Sequence, residues 1–172
     1  TEADQDWIFD PTPDFTYGIN LYFQYKGFDL TMFWQGVQGV QIISDLKKET
    51  DLWSGLNIGF LNKGTRLLDA WTPQNPDSDI PALSRSDINN EKRVSTYFIE
   101  DGSFLKLRNI QIGYNLPQKA VEKMKMTRFR LYLSAQNALT VKSAEFTGVD
   151  PENPNFGYPI PMNLTFGINI GF

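Results

Sequence analysis

Residues 161–172 read PMNLTFGINIGF, and the alternation within them decides the fold. From Leu164 every second residue is apolar: Leu164, Phe166, Ile168, Ile170 and Phe172. Thr165, Gly167, Asn169 and Gly171, which lie between them, are polar or too small to fill a core. Strand side chains point to opposite sides with a period of two, so this is a strand whose faces meet different media.

Two architectures supply such media. In a soluble sandwich the apolar face meets a second sheet, whereas in an outer-membrane barrel it meets lipid and the polar face turns to a wet or plugged lumen. The rest of the chain discriminates between them. FTYGINLYFQYK (15–26) puts Phe15, Tyr17, Ile19, Leu21, Phe23 and Tyr25 on one face, with Thr16, Gly18, Asn20, Tyr22, Gln24 and Lys26 on the other. After a tight turn at Lys26 and Gly27, FDLTMFWQG (28–36) sets Phe28, Leu30, Met32 and Trp34 against Asp29, Thr31, Phe33 and Gln35, so the two segments predict a hairpin. In RFRLYLSAQNAL (128–139), Phe129, Leu131, Leu133 and Ala135 alternate with Arg128, Arg130, Tyr132, Ser134 and Gln136. Between 103 and 115, Ile110, Ile112 and Tyr114 alternate in one phase while Leu105 and Leu107 keep the opposite one, which predicts a bulge near Arg108.

Five amphipathic strands are thus expected, at about 14–26, 28–36, 103–115, 127–137 and 162–172. A long loop occupies about 37–95, with short helices near 43–53 and 65–70 and no sustained alternation. Connections that are alternately short and long are the pattern of an up-and-down membrane barrel with short periplasmic turns and long extracellular loops. The smallest bacterial barrels use about eight strands, so five cannot close. The chain is expected to be the last part of a larger barrel, one segment from 1 to 172.

Composition agrees and excludes alternatives. The 172 residues carry a net charge of −4, with neither cysteine nor histidine. An acidic chain offers no basic face for nucleic acid, and it lacks both thiol chemistry and the usual general base. No apolar run reaches the roughly 18 residues of a membrane-crossing helix. The first residues, TEADQDWIFDPTPDF, show no basic stretch followed by an apolar one, the pattern of a signal peptide.

Six ordered stretches resemble the C-terminal barrel of SusC/RagA-type TonB-dependent transporters of Bacteroidota. They are PDFTYGINLYFQYKGFDLTMFWQGVQG (13–39), AWTPQNPDSDIP (70–81), DGSFLKLRNIQIGYNLP (101–117), LYLSAQNALT (131–140), DPENP (150–154) and YPIPMNLTFGINIGF (158–172). The resemblance covers roughly residues 11–172 and lacks the family's plug domain and TonB box. It implies a transmembrane barrel of about 22 strands in the bacterial outer membrane. It also implies a SusD-like surface lipoprotein as lid, energy from TonB, and import of oligosaccharides or peptides without catalysis. The partners of this chain would be the remainder of the barrel and its plug, the lid, TonB and outer-membrane lipid.

On that reading Phe15, Leu21, Met32, Leu131, Phe166 and Ile168 face lipid, and Asn20, Gln24, Thr31, Arg130, Tyr132 and Asn169 face the lumen. Phe172, ending a lipid-facing strand, resembles the signal by which assembly machinery recognises barrels. Trp53, Trp71, Asp77 and Asp79 fall in the long loop on the lid and substrate side. The two tryptophans have the character of interface anchors, against which stands burial within the loop itself. Asp77 with Asp79, and Asp150 with Glu152, are candidate calcium ligands or acid–base pairs. Turn chemistry is the competing reading of both, because Asp, Asn and Pro together initiate turns. No cofactor is otherwise expected. The rival to transport is a soluble extracytoplasmic β-rich domain that binds glycans through its loop aromatics.

Overall fold

The computed structural model describes residues 8–52, 63–84, 90, 93–154 and 157–172. The five alternating segments are strands of one antiparallel sheet, joined by two very short strands in the long connection. The long strands are β1 (Phe15–Tyr25), β2 (Phe28–Gln38), β5 (Phe104–Asn115), β6 (Arg128–Lys142) and β7 (Asn163–Gly171). They lie in the order β1-β2-β5-β6-β7, leaving β1 and β7 at the edges. The short strands β3 (Gln41–Ile43) and β4 (Ile99–Asp101) pair with each other.

By its internal contacts the chain divides into two compact units. One comprises 13–39, 103–143 and 159–172, and contains the five-stranded sheet. Its first hairpin closes through Lys26 (φ 45°) and Gly27 (φ 88°), with Tyr25 opposite Phe28. Positive φ at both central residues is the type I′ turn, whose twist matches that of the strands. Gly27 is doubly required, since a Cβ there would also lie 2.9 Å from the carbonyl oxygen of Asn115. At the same end of the sheet, β5 and β6 are linked through the helix α2 (Gln118–Lys123), which buries Val121. The two long connections, from β2 to β5 and from β6 to β7, leave from the opposite end, where Val37 pairs with Phe104 and Phe104 with Lys142.

The pairing register continues the alternation across all five strands. Leu21, Met32, Ile110, Ala135 and Leu164 form one cross-strand row on the apolar face. Gln24, Asp29, Gly113, Tyr132 and Gly167 form a row on the polar face. A register shift falls at Arg108, because Phe33 pairs with Asn109 and Trp34 with Leu107. The extra residue returns Leu105 and Leu107 to the face of Ile110 and Ile112, which is why the sequence slips phase there. The sixth strand runs to Lys142, beyond the expected end at 137. Asn137 takes φ 53° and donates to the Pro161 carbonyl, an irregularity after which pairing resumes at Leu139.

The second unit comprises 1–12, 40–102 and 144–158. The helix α1 (Asp45–Asp51) starts at Ser44, whose Oγ accepts from Lys47 N at 3.2 Å. It ends where Lys63 Nζ donates to the carbonyls of Glu49 and Leu52, both at 2.9 Å. A 3₁₀ turn at Thr65–Asp69 buries Leu67 with Ala70 and Ile80 in a small apolar core. A second 3₁₀ turn, Thr96–Phe98, buries Phe98. The expected helices near 43–53 and 65–70 thus have counterparts, the latter as a 3₁₀ turn. Strands β3 and β4 are the addition, each of three residues and too short for periodicity to reveal.

Candidate functional site

Three regions carry the functional expectations: the two faces of the sheet and the loops. On the apolar face, Phe15, Leu21, Met32, Leu131, Phe166 and Ile168 share one side, because each is linked to the others by strand parity and pairing register. Much of that face is uncovered; Phe15 is 56% exposed, Phe166 67% and Ile168 50%. Soluble monomers rarely expose contiguous apolar patches larger than a few hundred Å².

The polar face holds Asn20, Gln24, Thr31, Arg130, Tyr132 and Asn169 on one side by the same register. It also contains a pair that sequence reasoning missed. Arg130 of β6 reaches across β5, its Nε donating to Asp29 Oδ1 of β2 at 3.0 Å and its Nη2 to Oδ2. Asn115 Nδ2 donates to the same Oδ1 at 3.0 Å. Both charged side chains are about nine-tenths buried. The crossing requires Gly113, over which the guanidinium lies so closely that any Cβ would collide with it. A signal for Asp29 was present, since it is the one acid between residues 15 and 38 and stands in the polar phase of its strand. Farther along, Arg108 Nε donates to Gln35 Oε1 at 2.8 Å, so the bulge residue also serves this face.

The loop unit is held by buried polar ties. The Asp51 carboxylate, 1% exposed, accepts from Tyr97 Oη and pairs with Arg66 Nη1, both at 2.8 Å. Burial, reinforced by the Asp51 carboxylate, pushes the Tyr97 phenol well above the usual tyrosine range. Lys47 Nζ donates to the Tyr97 carbonyl at 2.7 Å, and burial draws its ammonium below the ordinary lysine value against the opposing pull of Glu100. Glu100 itself, buried, accepts from Thr147 Oγ1 at 2.7 Å and from its N–H at 3.1 Å.

The loop candidates divide. Trp71 is 42% exposed while its backbone N–H donates to the Ile80 carbonyl at 2.8 Å, so the ring is displayed from a pinned backbone. Asp77 and Asp79 are exposed. Trp53 lies outside the described residues. Asp150 Oδ1 accepts from Glu152 N at 3.0 Å, which is the turn chemistry that competed with ion binding. Among the described residues no three acidic, histidine or cysteine side chains converge as a metal site. Phe172 is 88% exposed.

A sheet with one uncovered apolar face, one stitched polar face and its long connections at one end defines the class: an integral β-sheet protein of the outer membrane. The chain matches no family model. It is 36% identical, over 186 aligned positions and 99% of its length, to TonB-dependent receptor P3 of Formosa agariphila. To TonB-dependent receptor P26 of the same organism it is 32% identical over 94% of its length. Among solved structures it is similar to the RagAB peptide transporter, with a TM-score of 0.78, 32% identity and 95% of this chain covered. The chain spans about 17% of the length of those two curated relatives and 18% of the RagAB chain it matches. It is therefore homologous, almost throughout, to a segment of TonB-dependent receptors of the SusC/RagA type, which are outer-membrane proteins.

Proposed function

We propose that this chain forms one sector of the wall of a TonB-dependent nutrient importer, a closed barrel of about 22 strands completed by polypeptide outside this sequence. The apolar face meets lipid, and the polar face with its Asp29–Arg130 pair lines the lumen or contacts a plug. The long loops lie on the extracellular side and meet a SusD-like lipoprotein lid, with Trp71 and Trp53 as candidate contacts beside Asp77 and Asp79. TonB acts through another part of the receptor. The observation that carries the reading is the uncovered apolar face, continuous over five paired strands.

Within the importer this sector is a static scaffold and performs no catalysis. Support comes from RagAB in its open-open and closed-closed states, to both of which the chain is similar with a TM-score of 0.78. Peptide is the preferred cargo over oligosaccharide, because the RagAB structures are of a peptide importer.

The test is to delete the gene for the full-length receptor and follow uptake of labelled peptides and labelled oligosaccharides. Loss of peptide uptake, with the protein extracted only by detergent and a surface lipoprotein co-purifying, is the expected result. A receptor that is monodisperse without detergent would overturn the reading in favour of the soluble glycan-binding domain.

A further inference from the structure

The apolar face is not uniform. Near the type I′ turn it sinks into a groove of about 300 Å³. Its lining is Phe23, Gln24 and Tyr25 of β1, Phe28, Asp29 and Leu30 of β2, and Ile112 of β5, with the Asp29 carboxylate taken up by its pair with Arg130. Phe23, Leu30 and Ile112 are direct cross-strand neighbours and form one row; Tyr25 and Phe28, paired with each other, form the next row toward the turn. Phe28 leans on Tyr114 with ring centroids 4.6 Å apart. Lys26, next in the chain to the lining residue Tyr25, holds its Nζ 5.1 Å from the centroid of the Tyr25 ring. An apolar trough with an ammonium beside one of its lining aromatics is complementary to an amphiphile with an anionic head.

We propose that this groove retains one phospholipid, with an acyl chain in the trough and its phosphate against the Lys26 ammonium. Volume supports a single chain, since about 300 Å³ is the lower end of small-molecule sites. Position identifies the class of lipid. The groove lies at the short-turn end of the sheet, opposite the long connections, and short turns face the periplasm. The leaflet on that side of an outer membrane is phospholipid, whereas lipopolysaccharide occupies the other. Lys26 thus has two roles: its positive φ makes the turn, and its side chain meets the headgroup. This inference rests on the outer-membrane reading above and adds a bound molecule to it.

Native mass spectrometry of the full-length receptor in detergent micelles doped with dipalmitoyl phosphatidylglycerol tests it. Wild-type receptor should retain one phospholipid after other lipids are stripped. Leu30→Trp fills the trough floor and Phe23→Ala removes a wall. Either change forfeits the burial of about two methylenes, which corresponds to roughly tenfold weaker retention. Lys26→Gln should also lower retention, while Val141→Trp, on the same face at the far end of β6, should leave it as in wild type. Heat-modifiable migration identifies which variants are folded barrels, and either groove variant suffices if the other fails to fold. Equal retention by wild type and a folded groove variant would overturn the site while leaving the membrane reading intact. Retention of lipopolysaccharide or of another protein in place of phospholipid would overturn it too, and a receptor needing no detergent would overturn both.

Discussion

Arg130 on β6 pairs with Asp29 on β2, two strands away, across the bare backbone of Gly113. Neither charge could remain in this setting without the other, because an unpaired buried ion is far more costly than the pair. Arg130→Met in the full-length receptor should therefore lower stability by about 3–5 kcal/mol, while Asp29→Leu combined with Arg130→Met should recover most of that. Thermal loss of the heat-modifiable folded band measures both. A double variant as unstable as the single one would mean that the surrounding face, and not charge pairing, holds the residues there.

Met32 and Thr31 are sequence neighbours on opposite faces. Met32→Arg puts a charge on the apolar face and should lower stability by about 2–4 kcal/mol near mid-membrane. Thr31→Arg should be nearly neutral. Folded yield in lipid vesicles compares them, and similar losses for both would refute the assignment of faces.

Gly27→Ala should destabilise the first hairpin by about 1–2 kcal/mol, the penalty of a left-handed conformation for a residue with a Cβ. The crowding against Asn115 adds to it. Unfolding in denaturant reads the effect, and an unchanged midpoint would show that the turn rearranges freely.

The Tyr97 tie has a pH dependence whose sign is fixed. The folded loop unit holds the phenol proton more tightly than the unfolded chain, whose tyrosine titrates near the ordinary value of about 10. Its stabilisation is complete below that pH and is lost as pH rises above it. Limited proteolysis in the loops should accelerate above about pH 10 in wild type. Tyr97→Phe should be cleaved faster at neutral pH, through loss of a buried hydrogen bond worth about 1–3 kcal/mol, and should show less alkaline acceleration. An identical alkaline profile in the variant would assign the effect to other groups.

Trp71→Ala should weaken association with a lid lipoprotein without lowering receptor stability, since the ring is exposed and the backbone bond to Ile80 survives. Co-purification of the two proteins measures this. Unchanged association would remove Trp71 from the interface.

Alternation made the strands legible, and even the bulge at Arg108 announced itself, because Leu105 and Leu107 fell out of phase with Ile110 and Ile112. Partnership was not legible. That Asp29 meets Arg130 depends on β2 pairing with β5 after more than sixty intervening residues, and no local pattern encodes that register. Pairs of three residues such as β3 and β4 lie below the length at which periodicity speaks. The continuation of β6 past Asn137 was hidden by the same kind of polar residue that ends strands elsewhere. The loops yielded their helices but not their ties, for the bonds among Asp51, Tyr97 and Arg66 join positions up to 46 apart in the chain.

The placement of β1 and β7 at the margins of the sheet governs how the chain behaves in a test tube. Each margin is a row of backbone donors and acceptors with no neighbour among the described strands, a template that recruits any extended peptide it meets. Expressed in isolation, the 172 residues would add to copies of themselves and grow into ribbons, even in detergent that satisfies the apolar side chains. Detergent solves a problem of faces, and the margins pose a problem of hydrogen bonding. Reconstitution therefore needs adjoining strands to be supplied, covalently or in trans, before any measurement on this piece reports on the receptor.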